Sequence, residues 1–227
     1  MRIKLSFSYS ICFLLLLIVM MELHEIIHIT VGYIICGCWG NRDFNFWALC
    51  DTCNNPSLSW LATLAGPVFS FSMMWWGRSL LSAKKAPTKA LGFSLIFANI
   101  PFGRITEVMK GSGDEMLVAK HFLKPSFTHT QIITIASVII LFVGIPPIIK
   151  AFCVLANKNA LLFIVGFLTL PLVFILLYIL VAMNSLLHTR LLSFNWIMGT
   201  PLMITLHTLL AMGMLWLLRK NIFSLNN

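Results

Sequence analysis

Charge is what this chain lacks. Only 10% of its 227 residues are charged, and only seven of them are Asp or Glu. A soluble domain carries about 25% charged residues and about 45–50% apolar ones. Here 59% are hydrophobic and the mean hydropathy is +0.92, which excludes a soluble globular protein. No loop between apolar stretches exceeds about 20 residues, too short for an ordinary soluble domain. Low-complexity tracts and internal repeats are lacking too. The formal charge of +9 does not imply nucleic acid, because the basic residues stand singly or in pairs between apolar runs, as membrane-flanking charges do. Six cysteines are too few for a disulfide scaffold. The basic start at Arg2 and Lys4 followed by the apolar run Ile11–Met21 resembles a secretory leader. However, no small-residue cleavage site follows, and apolar character continues to Ile35.

What is there is a series of oily segments. A membrane span needs about 20 apolar residues. Six stretches qualify: roughly 10–35, 58–77, 90–109, 130–149, 160–183 and 200–218. The expected fold is an all-α polytopic transmembrane bundle, with residues 1–227 as one integral membrane domain. A core at about 10–125 is followed by further spans at about 130–218. The third span contains Asn99, Pro101, Gly103, Arg104 and Glu107, so it is expected to be broken and to line a polar cavity. With the N-terminus inside, the inner side holds Arg2, Lys4, Arg78, Lys84, Lys85, Lys89, Lys150, Lys158, Arg219 and Lys220. The outer side then holds Arg42, Arg104, Lys110, Lys120, Lys124 and Arg190. Ten against six favours an N-in, C-in protein, expected as a multi-pass protein of a bacterial cytoplasmic membrane.

Inside the first span lies His24-Glu25-Ile26-Ile27-His28, an H-E-x-x-H pattern, with Glu22 just before it. Histidines four apart share one helical face and can grip one Zn²⁺, and Glu25 is placed to act as base on a metal-bound water. An acidic group at a bilayer centre costs about 2.5–3.5 kcal/mol on insertion scales, so such a cluster signals use. The bland alternative is a set of polar residues satisfying one another in a bundle. A catalytic zinc needs a third protein ligand and an open position. Glu107, Asp114, Glu115, His121, His129, His188 and His207 are candidates. Asp114 is preferred, because Gly111 and Gly113 free the backbone to bring a short carboxylate close. Its alternative is an ordinary loop charge. The adjacent Glu115 is expected to point elsewhere and to be dispensable.

His24–His28 in the first span, Ala65-Gly66-Pro67 in the next, and Asn99-Ile100-Pro101 leading to Gly113-Asp114 together resemble the site-2 protease family of intramembrane zinc metallopeptidases, in a short form without a PDZ domain. The resemblance covers residues 20–120. The Asn99–Pro101 spacing is one residue shorter than the family's, and Asp114 is followed by Glu115 rather than glycine. The resemblance implies a zinc metalloendopeptidase acting on transmembrane protein substrates in membrane lipid. His24, His28 and Asp114 would be ligands, Glu25 the base, and Asn99 a holder of the substrate strand or oxyanion. Asn99 equally reads as a helix breaker satisfying local backbone. Gly66 and Pro67 read as packing residues.

Four cysteines, Cys36, Cys38, Cys50 and Cys53, follow the zinc helix on the expected outer side. Disulfides, a Cys₄ structural metal site and free thiols are all open readings. Trp39, Phe44, Phe46, Trp47 and Trp60 make this loop amphipathic, so it is expected at the membrane interface, able to cap the site. His207, inside the last span, reads as a hydrogen-bonded bundle histidine. A catalytically silent binding or chaperone relative, and a metal or proton transporter, are the rival classes.

Overall fold

The computed structural model describes residues 1–190 and 192–223. Most of the described residues are helical. Helix α1 runs Phe7–Cys36 and α2 Ser59–Leu80, entered through a 3₁₀ turn at Pro56–Leu58. Then come α3 Ala86–Ala98, α4 Pro101–Met109, α5 Asp114–Leu123 and α6 His129–Val154. Helix α7, Ala160–Phe174, widens to π geometry over Ile175–Met183 and resumes as α8, Asn184–His188. A two-stranded hairpin, β1 Asn195–Ile197 and β2 Thr200–Pro201, leads into α9 Leu202–Leu218 and α10 Lys220–Phe223.

Four helical stretches are long and apolar enough to cross a membrane: Phe7–Cys36, Pro56–Leu80, His129–Val154 and Ala160–His188. The expected third and sixth spans are not among these four. The third is divided into 13- and 9-residue helices. The last, α9, is an apolar helix of 17 residues, about 26 Å at 1.5 Å per residue, at the short end of the about 17–25 residues that cross a bilayer.

Helix α1 forms the centre, packing on α2, α3 and α9. It is apolar on nearly every side, the pattern of a helix enclosed by others. Ser6 caps its start, its Oγ accepting from the Tyr9 N–H at 3.1 Å. Gly37 ends it in the left-handed region at φ 73°, which glycine enters without a Cβ clash. Helices α2 and α3 meet through two glycines. A Cβ on Gly77 would lie 2.6 Å from the Gly92 carbonyl oxygen, and one on Gly92 2.5 Å from that of Gly77, so only small residues permit this crossing.

The third span breaks at Asn99–Ile100. Pro101 disfavours the right-handed helical region for the residue before it, and Ile100 adopts φ 51°, ψ 55°. A left-handed β-branched residue costs about 1–2 kcal/mol. The break turns α4 away from α3 and against α6.

Between α1 and α2, the chain folds into a short hairpin that enters the protein. Arg42 bridges Trp47, with Asp43 N–H donating to Phe46 O and Ala48 N–H to Asn41 O, each at 2.9 Å. Phe44 is buried, with its ring 5.2 Å from that of His207. Arg42, expected as a flanking charge, is a buried ion-pair partner of Glu22 at 2.5 Å, and at the hairpin tip Phe44 is buried while Asn45 and Phe46 are exposed. Cys36 is bonded to Cys53 and Cys38 to Cys50, which ties the hairpin's two ends to the end of α1.

Candidate metal centre

Helix α1 presents His24 and His28 one turn apart, and α2 supplies the wall they lean on. Ala62, Gly66 and Ser70 recur every four residues along one face of α2, and all three are buried. His28 Nδ1 donates to the Ala62 carbonyl at 2.6 Å. A carbonyl only accepts, so this bond fixes the proton on Nδ1 and leaves Nε2 as a lone pair. His24 Nδ1 lies 3.1 Å from Ser70 Oγ. Gly66 stands where the rings come closest. A Cβ there would strike His28 Nε2 and lie 2.6 Å from His24 Cε1, so glycine gives the imidazoles their room.

The third group arrives through the glycine turn. Gly111 and Gly113 take φ 79° and 87°, the left-handed region. Asp114 follows as the first residue of α5, and its Oδ2 lies 3.2 Å from both His24 Nε2 and His28 Nε2. The two Nε2 atoms are 3.0 Å apart. His24, His28 and Asp114 form a group able to hold a metal ion, the one such group among the described residues.

The triangle suits zinc. Tetrahedral ligands at about 2.0–2.1 Å from the ion stand about 3.3 Å from one another. Two imidazole nitrogens and one carboxylate oxygen are ordinary zinc ligands and leave a fourth position open. Arg104 Nη2, a donor only, lies 3.0 Å from His24 Nδ1, so without an ion the His24 proton sits on Nε2 between the His28 lone pair and the Asp114 carboxylate, the place a cation would take. When His24 Nε2 binds metal, its Nδ1 must carry the ring proton, so Arg104 Nη2, which can only donate and lies 3.0 Å from Nδ1, must give way, and Ser70 Oγ is the acceptor at hand.

Glu25 is 7% exposed, and its Oε2 has no hydrogen-bond partner. Buried polar atoms are normally paired, so this carboxylate oxygen, next to His24 in the chain, is able to receive a further molecule. The indole of Trp47 stacks on His28, with centroids 4.9 Å apart and an 11° interplanar angle. The hairpin thus covers one side of the centre.

Asn99 is not part of this cluster. Its Nδ2 donates to the Leu95 carbonyl at 2.7 Å, which accounts for the amide nitrogen locally, while Oδ1 has no partner. Glu107 is exposed and packs against the Gly113 turn. His121 stacks on Trp60, with centroids 6.2 Å apart. His207 lies 3.1 Å from the Tyr178 hydroxyl. Glu115 points away from the ligand triangle as expected, but it is not idle. Its Oε1 receives Arg104 Nη1 at 3.2 Å, and Arg104 Nη2 reaches His24 Nδ1 at 3.0 Å and Ser70 Oγ at 2.9 Å.

Ser70, Arg104 and the Ala62 carbonyl are not among the candidates that the sequence singles out. Two signals for them are present in it: the four-residue spacing of small residues around Gly66, and an arginine inside an apolar segment, which demands a partner. No family model, curated protein or solved structure matches this chain.

Proposed function

We propose that this membrane protein is an intramembrane zinc metalloendopeptidase that hydrolyses peptide bonds in or near the transmembrane segments of other proteins. One observation carries the reading: three ligand atoms 3.0–3.2 Å apart, beside a buried carboxylate oxygen with no partner. The resemblance of His24–His28, Gly66-Pro67 and Gly113-Asp114 to the site-2 protease pattern supports the same class. His24, His28 and Asp114 hold the ion. Bound zinc supplies Lewis acidity to the scissile carbonyl and lowers the pKa of its water towards about 7.

The remaining steps belong to the chain. Glu25 accepts the proton of the attacking water and returns it to the leaving amine. Ala62 and Ser70 orient the two imidazoles, and Trp47 and the surrounding apolar helices limit the access of bulk water. A helical substrate hides its carbonyls in i to i−4 bonds, so it must open locally to present one. The proposed orientation keeps the N-terminus in the cytoplasm and places the cystine hairpin on the opposite, oxidising side.

The test uses purified protein, metal analysis and a transmembrane reporter substrate. Glu25→Gln should keep one zinc and lose about 10²–10⁴-fold in cleavage, because the amide conserves size but takes no proton. Asp114→Ala should lose metal and cleavage together. Cleavage within tenfold of wild type in Glu25→Gln removes Glu25 as the base. Stable zinc with no cleavage in the wild type favours the silent relative, and metal flux into vesicles favours the transporter.

A further inference from the structure

A second feature lies at the opposite end of α1 from the metal centre. Phe13 and His24 are 11 residues apart, about 16 Å along the helix. Here Arg2, Lys4, Ala156, Asn157 and Lys158 line a hollow of about 640 Å³. Asn157 and Lys158 also line the mouth of an apolar groove of about 780 Å³ between α1 and α7, walled by Tyr9, Phe13, Phe163, Phe167 and Leu170. The mouth is a built structure. Ile3 N–H donates to Asn157 Oδ1 at 3.0 Å, and Asn157 Nδ2 donates back to Ile3 O at 2.9 Å. Arg2 Nε donates to Ala156 O at 3.3 Å.

The charge here is of one sign. The chain's seven acids are Glu22, Glu25, Asp43, Asp51, Glu107, Asp114 and Glu115, and none lines either hollow. Among the described residues, the four ion pairs involve none of Arg2, Lys4 and Lys158. Three cations therefore face one opening without a counter-charge, at the rim of an apolar slot.

We propose that this is a binding site for one anionic phospholipid, with its phosphate among Arg2, Lys4 and Lys158 and an acyl chain in the groove between α1 and α7. Only an amphiphile satisfies both halves. Free phosphate leaves the groove unused. A transmembrane helix of about 10–12 Å diameter would fit fewer than about two turns into the groove's volume. A groove of this size lies within the range of about 300–1,000 Å³ that encloses small ligands, and a juxtamembrane lysine or arginine attracts anionic headgroups.

The test is native mass spectrometry of the full chain in a non-ionic detergent, titrated with phosphatidylglycerol, with phosphatidylcholine of the same acyl chains, or with inorganic phosphate. The site should retain phosphatidylglycerol about tenfold or more over phosphatidylcholine, since each of the exposed cations contributes to headgroup attraction. The double variant Lys4→Ala, Lys158→Ala should lose that preference. Gly166→Leu should weaken both lipids. A Cβ added there meets only the Leu170 side chain, at 3.9 Å, so the new side chain fills the slot without straining α7. Thermal midpoints should match wild type in both variants. Equal retention of the two lipids, binding of inorganic phosphate as tight as that of phosphatidylglycerol, or unchanged lipid binding in Gly166→Leu overturns the site. Competition by a transmembrane peptide with no lipid preference assigns the groove to protein instead. None of these results depends on zinc or cleavage.

Discussion

Glu22 and Glu25 sit less than one turn apart on the same helix, 2% and 7% exposed. Glu22 receives Arg42 Nη2 at 2.5 Å, and Arg42 Nε donates onward to Thr200 Oγ1 at 3.1 Å. Glu25 keeps an oxygen with no partner. The first carboxylate is spent on holding the hairpin against α1 and β2, whereas the second is left free beside His24. Burial alone does not mark a functional charge in a membrane protein. What separates the two is whether the fold supplies a counter-ion, since a paired buried charge is structural and an unpaired one demands a ligand or a reaction.

The sharpest way to break this comparison is to remove the partner. Arg42→Ala leaves Glu22 as an uncompensated buried charge, a change that costs about 3–5 kcal/mol. The variant should purify poorly or melt well below wild type, whereas Glu25→Gln should melt at or above it, because it removes an unpaired buried charge. Thermal unfolding in detergent reads both. Equal destabilisation by the two substitutions would show that Glu25 has a structural partner after all.

Gly66→Ala separates the metal centre from the fold. Alanine is the better helix former by about 1 kcal/mol, yet its methyl would collide with the imidazoles of His24 and His28. Metal content should fall at least about tenfold while helical content by circular dichroism stays at the wild-type level. Full zinc occupancy in Gly66→Ala would mean that the histidines turn away from α2 when they bind.

The parts of this design that are legible in the sequence are local ones. His24 and His28 are a fixed four residues apart, and the glycines at 111 and 113 announce the turn that delivers Asp114. The break at Asn99–Pro101 is legible because proline restricts the residue before it. What stays hidden depends on tertiary pairing. Nothing in the spacing of Glu22 and Arg42 shows that the hairpin folds inward, and an arginine next to tryptophans reads as an interfacial charge. Likewise Ser70 is one serine among several in an apolar helix until α1 is docked on it. Hydropathy marks six apolar stretches, of which four are single helices long enough to cross a membrane; it does not show how residues 90–109 divide between two helices or where α9 stops.

The smallest effect concerns Glu115, which by sequence alone looks dispensable. Its carboxylate anchors Arg104 at 3.2 Å, and Arg104 shares Ser70 with His24. In the metal-bound state the proton on His24 Nδ1 needs Ser70 Oγ as its acceptor, so Arg104 Nη2, which lies against both, must move off Nδ1 while Glu115 holds its other nitrogen. Glu115→Gln keeps the shape of the side chain and removes the charge that draws Arg104 towards α5 and away from His24. Loss of such an outer partner of a metal ligand typically costs about 10–100-fold in affinity or activity. The expected result lies at the low end, about tenfold weaker zinc binding in a chelator competition, because Asp114 and His28 remain. Ser70→Ala in the same background should then add little, since both changes act on one hydrogen bond. Fully additive losses would show that Glu115 and Ser70 support the centre by separate routes, and that Arg104 is not the link between them.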